Sequence, residues 1–270
     1  MSSDATWLDI DSRVILAGHQ PACLIDLALG RGIDSHRLLR GSGLFYEDLL
    51  LPDTRLSAAQ YLRLLDNART LLDAADSSFL LGQRLLPGHY GAASNLLLHA
   101  DTLLQALERL ASCRALLSPL LAPRLHLDDH HVYLYWRETF GLGRNRRFLL
   151  EAGMTAVTSL GRSLVGQALP WEYQLGWAQP DYVEQYWVHM GERLRFEAPV
   201  SCMRLPREYV VRKPVAASAM LEQIAAQQTR QILQGLPASD SLSEAVFDHL
   251  YLEGGRRVGQ EQVADHFMLS

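Results

Sequence analysis

An α+β architecture, mostly helical with a small antiparallel or mixed sheet, is predicted by three features of this chain of 270 residues. The N-terminal third repeats apolar residues at helical spacing. The middle alternates apolar and polar residues on either side of a polar tetrad, Asp128-Asp129-His130-His131. Beyond it the helical period returns. Long helical runs around a short β region imply helices layered on one side of a small sheet.

In chain order, Pro21 to Gly30 is a short apolar segment closed by glycine, and Asp34 to Arg40 is short and amphipathic. Ser57 opens a longer helix whose apolar face is Ala58, Tyr61, Leu62, Leu64, Leu65, Ala68, Leu71 and Leu72. Its hydroxyl can accept a free N–H of the first turn. Ser78 to Leu86 adds a turn or two before Pro87-Gly88-His89-Tyr90-Gly91 breaks the pattern. Asp101 is expected to cap the next helix, which runs through Leu103, Leu104, Leu107, Leu110 and Ala111. Pro123 to Leu127 and Val132 to Arg137 alternate around the tetrad, as a β-hairpin does.

Arg146 to Gly166 reads as helix, with Phe148, Leu149, Ala152, Ala156, Val157, Leu160 and Leu164 in phase. Trp171 to Trp177 alternates, and Asp181 to Met190 is a helix after Pro180. Phe196, Val200, Cys202, Arg204 and Leu205 suggest one more short strand. Pro214 to Leu236 is a helix with Ala217, Met220, Leu221, Ile224 and Ile232 along one side. Gly235 to Ser241 reads as a linker.

Composition narrows the function. The chain is 48% hydrophobic and 20% charged, enough to bury a sizeable core. A net charge of −5 and a pI of about 6.0 argue against this chain itself gripping a phosphate backbone. Cys23, Cys113 and Cys202 are far apart and odd in number, which fits reduced thiols rather than a disulfide framework. No basic-then-apolar leader is visible, and no apolar run approaches the ~20 residues of a membrane span. A soluble, cytoplasmic protein is expected, without a cofactor.

Several motifs invite chemistry. His130 and His131 could ligate a metal, but adjacent side chains on an extended chain point apart, and a polar hairpin tip explains them. Gly141 to Arg147 resembles a phosphate cradle but lacks the third glycine of the dinucleotide pattern. Gly161 to Gly166 misses the nucleophile-elbow spacing by one residue. No Ser/His/Asp or Cys/His arrangement is legible, so no catalytic residue and no metal ligand is assigned. The aromatic strand is more informative. Tyr133, Tyr135 and Arg137 alternate onto one face, while Val132, Leu134 and Trp136 take the other. Two phenols and a guanidinium on one face could hold an apolar ligand by a carboxylate head, between that face and the covering helices. A solvent-facing amphipathic strand is the alternative. His89 and Tyr90, between two glycines, are further candidates for the same pocket. The stripe of Met220, Leu221 and Ile224 is a candidate dimer seam, the alternative being packing on its own domain.

The C-terminal stretch carries a second signal. Ala245, Val246, Leu250 and Leu252 give a short apolar face stopped by Gly254-Gly255. Gln260 to Phe267 reads as a second short helix, and Met268-Leu269-Ser270 as a turn. Two short helices and a turn look like the opening of a helix-turn-helix, with the base-reading helix beyond the last residue.

Together these motifs resemble a family. Pro87-Gly88-His89-Tyr90-Gly91 followed by Thr102-Leu103-Leu104-Gln105-Ala106-Leu107 is similar to the glycine loop and T-L-x-x-A-L helix of the arabinose-binding-type N-terminal domain of AraC/XylS transcription regulators. Leu39-Arg40-Gly41-Ser42-Gly43-Leu44 resembles its early L-x-G-x-G-L turn. Pro180, Tyr182, Tyr186, Phe196, Ala198-Pro199 and Leu205 to Pro214 follow its C-terminal half, so the resemblance spans Gly18 to Val215. It implies an effector-binding, dimerising sensor at residues 1–234, a linker at 235–241, and a truncated start of the DNA-binding domain at 242–270. The partners it implies are a small-molecule effector (a fatty-acid-like or aromatic carboxylate), a second copy of the chain, and operator DNA through the C-terminal domain; no membrane is expected as partner. This chain alone is expected to bind operator weakly or not at all. A small-molecule-binding enzyme of unidentified chemistry and a protein-interaction module are the competing classes.

Overall fold

Secondary structure follows the predicted alternation of helix, hairpin and helix, in a computed structural model that describes residues 7–236, 241–252 and 259–267. The N-terminal half runs β1 (Arg13–Leu16), α1 (Gln20–Gly30), α2 (Ser35–Leu38), α3 (Tyr46–Leu49), β2 (Arg55–Ser57), α4 (Ala58–Leu72), α5 (Ser77–Leu85), α6 (Ala92–Leu98), α7 (Leu103–Ser112) and α8 (Arg114–Leu117). The middle runs β3 (Leu121–Leu127), β4 (His131–Glu138), a 3-10 turn (Gly143–Asn145), α9 (Arg146–Val165), β5 (Glu172–Gln174), α10 (Val183–His189), β6 (Leu194–Arg195) and β7 (Cys202–Pro206). Then come α11 (Arg207–Val210), α12 (Ala219–Gln234), α13 (Leu242–Leu252) and α14 (Gln260–His266).

The main sheet has five strands in the order β3-β4-β7-β5-β6, antiparallel except for the parallel β5–β6 pair. Directly opposed residues share a face. Val132, Leu134 and Trp136 therefore line up with Leu205, Met203 and Pro123 on the inner face, which is buried against α7 and α9. Tyr133, Tyr135 and Arg137 share the outer face with Arg204, Arg124 and Ala122. The hairpin between β3 and β4 is tied by Asp128, whose carboxylate accepts from the backbone N–H of His130 at 2.7 Å and of His131 at 2.6 Å. Those bonds hold its pKa down to about 2, and they account for the polar tetrad as a turn.

The helical layer is built on local signals. Ser57 caps α4 in a capping box with Gln60, as its position predicted. Helices α5 and α9 approach so closely at Gly82 that a Cβ there would sit 2.5 Å from the Ala152 carbonyl. Gly88 (φ +61) makes room for Tyr90, whose ring would meet a Cβ at 2.3 Å. Tyr90 is thereby driven into the core as a plug, edge-on to His19 with ring centroids 4.9 Å apart.

Some expectations are corrected. Thr102, not Asp101, caps α7: its hydroxyl accepts from the Gln105 N–H at 3.1 Å. Helix α12 begins at Ala219 behind the cap Ser218, because Pro214 and the turn after it occupy the residues assigned to its first turn. Helix α6 and the small β1–β2 sheet carried no recognised pattern. The linker residues 237–240, Gly254-Gly255 and Met268 to Ser270 lie outside the described residues. No described helix is long and apolar enough to cross a membrane.

Candidate functional site

The outer face of β3 and β4 meets not the helices of its own layer but, at its Arg124 and Arg137 end, α13. Alternation sends Tyr133, Tyr135 and Arg137 away from α7 and α9, so the pocket expected between these residues and those helices is not formed there. Instead Glu244, Phe247 and Asp248 come off one side of α13, as residues three and four apart on a helix do. Glu244 is buried, with 1% of its side chain exposed, and lies 3.3 Å from Arg114 Nε and 3.7 Å from an Arg124 terminal nitrogen. The same Arg124 nitrogen donates to Asp248 at 3.0 Å. The Arg137 guanidinium stacks 3.3 Å above the centroid of the Phe247 ring, a cation–π contact.

Three guanidiniums thus meet two carboxylates at this junction. Arg124 Nε and Arg137 Nη1 are buried without a hydrogen-bond acceptor. Burial, followed by the neighbouring Arg124, pulls the Arg137 pKa below its ordinary value, while Asp248 and Glu244 oppose the shift. A buried donor left without a partner costs about 1–3 kcal/mol. Beside the junction is a cavity of about 30 Å³, lined by Leu8, Val14, Phe140 and Leu236 and by Arg114 and Glu244. That is room for one water rather than an organic ligand. Leu8 also bridges to Ser241, just before α13, so the N-terminal segment closes one side.

The five predicted ligand residues do not form one site. Tyr133, Tyr135 and Arg137 share the outer sheet face. Tyr133 stands between the His126 and His131 rings, at 6.1 and 6.0 Å, opposite Arg204, which is paired with Glu172 at 2.6 Å. Tyr90 is buried beside α1, and His89 is exposed on the loop before it. Met220, Leu221 and Ile224 are exposed, because α12 packs on α6 through the opposite side, where Glu222, Ala225 and Thr229 are buried. Sequence reasoning missed Arg114, Arg124, Glu244, Phe247 and Asp248. The i, i+3, i+4 set on α13 was a legible signal, and Arg124 shares the alternation of Ala122; what joins them is not local.

A second polar cluster is closed on itself. Buried Glu151 accepts from Ser78 Oγ at 2.6 Å, Arg147 Nε at 2.9 Å, Tyr182 OH at 3.2 Å and Tyr186 OH. Arg147 lies over the rings of Trp177 and Tyr182, at 5.4 and 5.2 Å. Burial and the Glu151 charge push Tyr182 up to about 12. Every ionised group here has its partner, which marks a structural node of α5, α9 and α10. Among the described residues no group of three or more His, Cys, Asp or Glu could hold a metal ion.

Comparison with known proteins adds three findings. Residues 32–214 match the family profile described as the arabinose-binding domain of AraC transcription regulators, N-terminal. An ornithine utilization regulator of Pseudomonas aeruginosa is 27% identical over 243 residues, which span 89% of this chain and 71% of that protein. The crystal structure of the transcriptional regulator CdpR from Pseudomonas aeruginosa shares the fold, with a TM-score of 0.56 at 16% identity, over 93% of this chain and 90% of that one.

Proposed function

Because the chain belongs to the AraC-type transcription regulators through their arabinose-binding N-terminal domain, we propose that the junction of sheet and α13 is where effector binding is converted into a position of the DNA-binding segment. Residues 1–234 are the sensing and dimerising part, 235–241 the linker, and 242–270 the opening of the helix-turn-helix. The observation that carries this reading is the pair of buried, acceptor-less nitrogens on Arg137 and Arg124, next to a helix held by ion pairs. An effector carboxylate supplies the missing acceptor. It meets the Arg137 fork by charge-assisted hydrogen bonds, and its apolar part enters where Phe247 now lies, beside Tyr135. Phe247 already occupies the face of the Arg137 guanidinium, so ligand and docked helix cannot share it. Effector and α13 therefore compete for one face, and binding shifts the population of docked and undocked α13 by the difference in affinity between the two states.

The exposed stripe of Met220, Leu221 and Ile224 is proposed as the seam between two copies. Its packed side is already satisfied on α6, and a two-fold interface is self-complementary. The effector is a mostly apolar carboxylate. The test is calorimetric titration with aliphatic and aromatic monocarboxylates, and with L-ornithine because of the ornithine utilization relative. Arg137→Ala is expected to weaken the binding carboxylate by about tenfold or more while the domain stays folded. Unchanged affinity in that variant removes Arg137 from the site.

A further inference from the structure

A second arginine cluster lies far from the junction in sequence and serves no purpose in the mechanism above. We propose that the groove between α2 and α4 is a binding site for a small phosphate-bearing molecule. The groove has a volume of about 360 Å³, within the range of small-ligand sites, and its charged lining is Arg37, Arg40, Arg63, Arg144 and Asp66, with Asn67 and Thr70 beside them. Asp66, the carboxylate among them, is spent on Arg144: the two join through two contacts of 2.8 Å, a bidentate pair. Arg37, Arg40 and Arg63 have no carboxylate within ion-pair distance among the described residues.

The backbone that carries Arg37 and Arg40 is fixed on α4, and the Arg63 side chain is tied to it; all three side chains are exposed to solvent. Arg63 Nε donates to the Arg40 carbonyl at 3.4 Å. The chain turns beneath its guanidinium at Gly41 (φ +72), where a Cβ would lie 3.1 Å from an Arg63 terminal nitrogen. Asn67 donates to the carbonyls of Leu38 and Arg40, each at 2.8 Å, and so clamps the segment bearing Arg37 and Arg40 onto α4. Three arginines without a carboxylate partner thus line one groove, in a chain whose net charge is −5. An oxyanion placed in the groove would meet positive charge that no carboxylate of the chain has taken up. A planar carboxylate engages one guanidinium fork. A phosphate offers three acceptor oxygens and close to two charges, which suits three arginines lining one groove. The phosphodiesters of duplex DNA present single charges along a line and suit a stripe of cations rather than one concave cluster.

The test uses the whole chain and inorganic pyrophosphate as probe, by calorimetry at low ionic strength. Binding with a dissociation constant below roughly 1 mM is expected. Arg63→Ala and Arg37→Ala should each weaken it by about tenfold, and Arg195→Ala, an exposed arginine elsewhere, should not. Arg63 also pins the Gly41 turn, so melting curves accompany each variant; Arg37 makes no such bond, and its variant stands as the decisive one should Arg63→Ala lose its fold. Absence of binding at about 5 mM overturns the proposal, as does equal binding by Arg37→Ala. So does an Arg37-dependent affinity for a random-sequence duplex with none for pyrophosphate, which would make the cluster a contact for the DNA backbone. Loss of carboxylate sensing in Arg137→Ala leaves this outcome untouched, since the two sites share no residue.

Discussion

Replacing Glu244 by Gln keeps the shape of the α13 junction and removes its central charge. The magnitude follows from the contacts. At an effective dielectric near 20, unit charges 3.3 Å apart attract by about 5 kcal/mol and those 3.7 Å apart by about 4.5 kcal/mol. Much of that is offset by the cost of taking the ions out of water. Removing one partner of a buried pair typically costs about 3–5 kcal/mol, because the other charge stays buried. Arg114 and Arg124 each keep 20% of their side-chain exposure, so water compensates in part and the lower end, about 3 kcal/mol, applies. That corresponds to roughly a 150-fold rise in the undocked population of α13. Amide hydrogen exchange reads it directly. Protection along α13 should fall by about two orders of magnitude, or to the unprotected limit, while β4 and α9 keep theirs. Unchanged α13 protection would show that the ion pairs contribute nothing to docking. An equal loss in β4 and α9 would show that α13 is part of the global folding unit, and the sensing role given to its separate movement would be refuted.

Three further outcomes are expected. Gly88→Ala forces a Cβ against the Tyr90 ring and the Leu85 carbonyl at positive φ, and should cost about 2–3 kcal/mol, lowering the melting temperature by roughly 5–10 °C; an unchanged melt would disprove the plug. Leu221→Glu with Ile224→Glu should give a folded monomer in sedimentation, whereas a persistent dimer places the seam elsewhere. The Asp128 carboxyl should titrate by NMR near 2, well below an ordinary aspartate. Its folded pKa is lowered, so its contribution to the hairpin is complete above the ordinary value of about 3.9 and is lost as pH falls through about 2; a midpoint near 4 would contradict the turn geometry.

Local order was legible where the cause is local. The capping box at Ser57 involves residues three apart, the hairpin turn at Asp128 spans a few positions, and the faces of β4 follow from a period of two. The same reasoning went astray where two candidates stood side by side, as with Asp101 and Thr102, since a cap is chosen by which hydroxyl or carboxylate meets the first turn. It also missed α6, whose seven residues are too few to establish a period.

The sequence by itself determined that Arg137 shares a face with Tyr133 and Tyr135, and that Met220, Leu221 and Ile224 lie together on a helix. Both are properties of backbone periodicity, which each segment carries alone. Only the tertiary structure decided what each face meets. Arg137 lies against Phe247, 110 positions away (247 − 137), and Arg63 joins Arg37 and Arg40 across a chain turn. Periodicity assigns a side chain to a side of its element, but the partner on that side is set by which element wins the competition to bury it. That competition is settled by packing and charge across the whole chain.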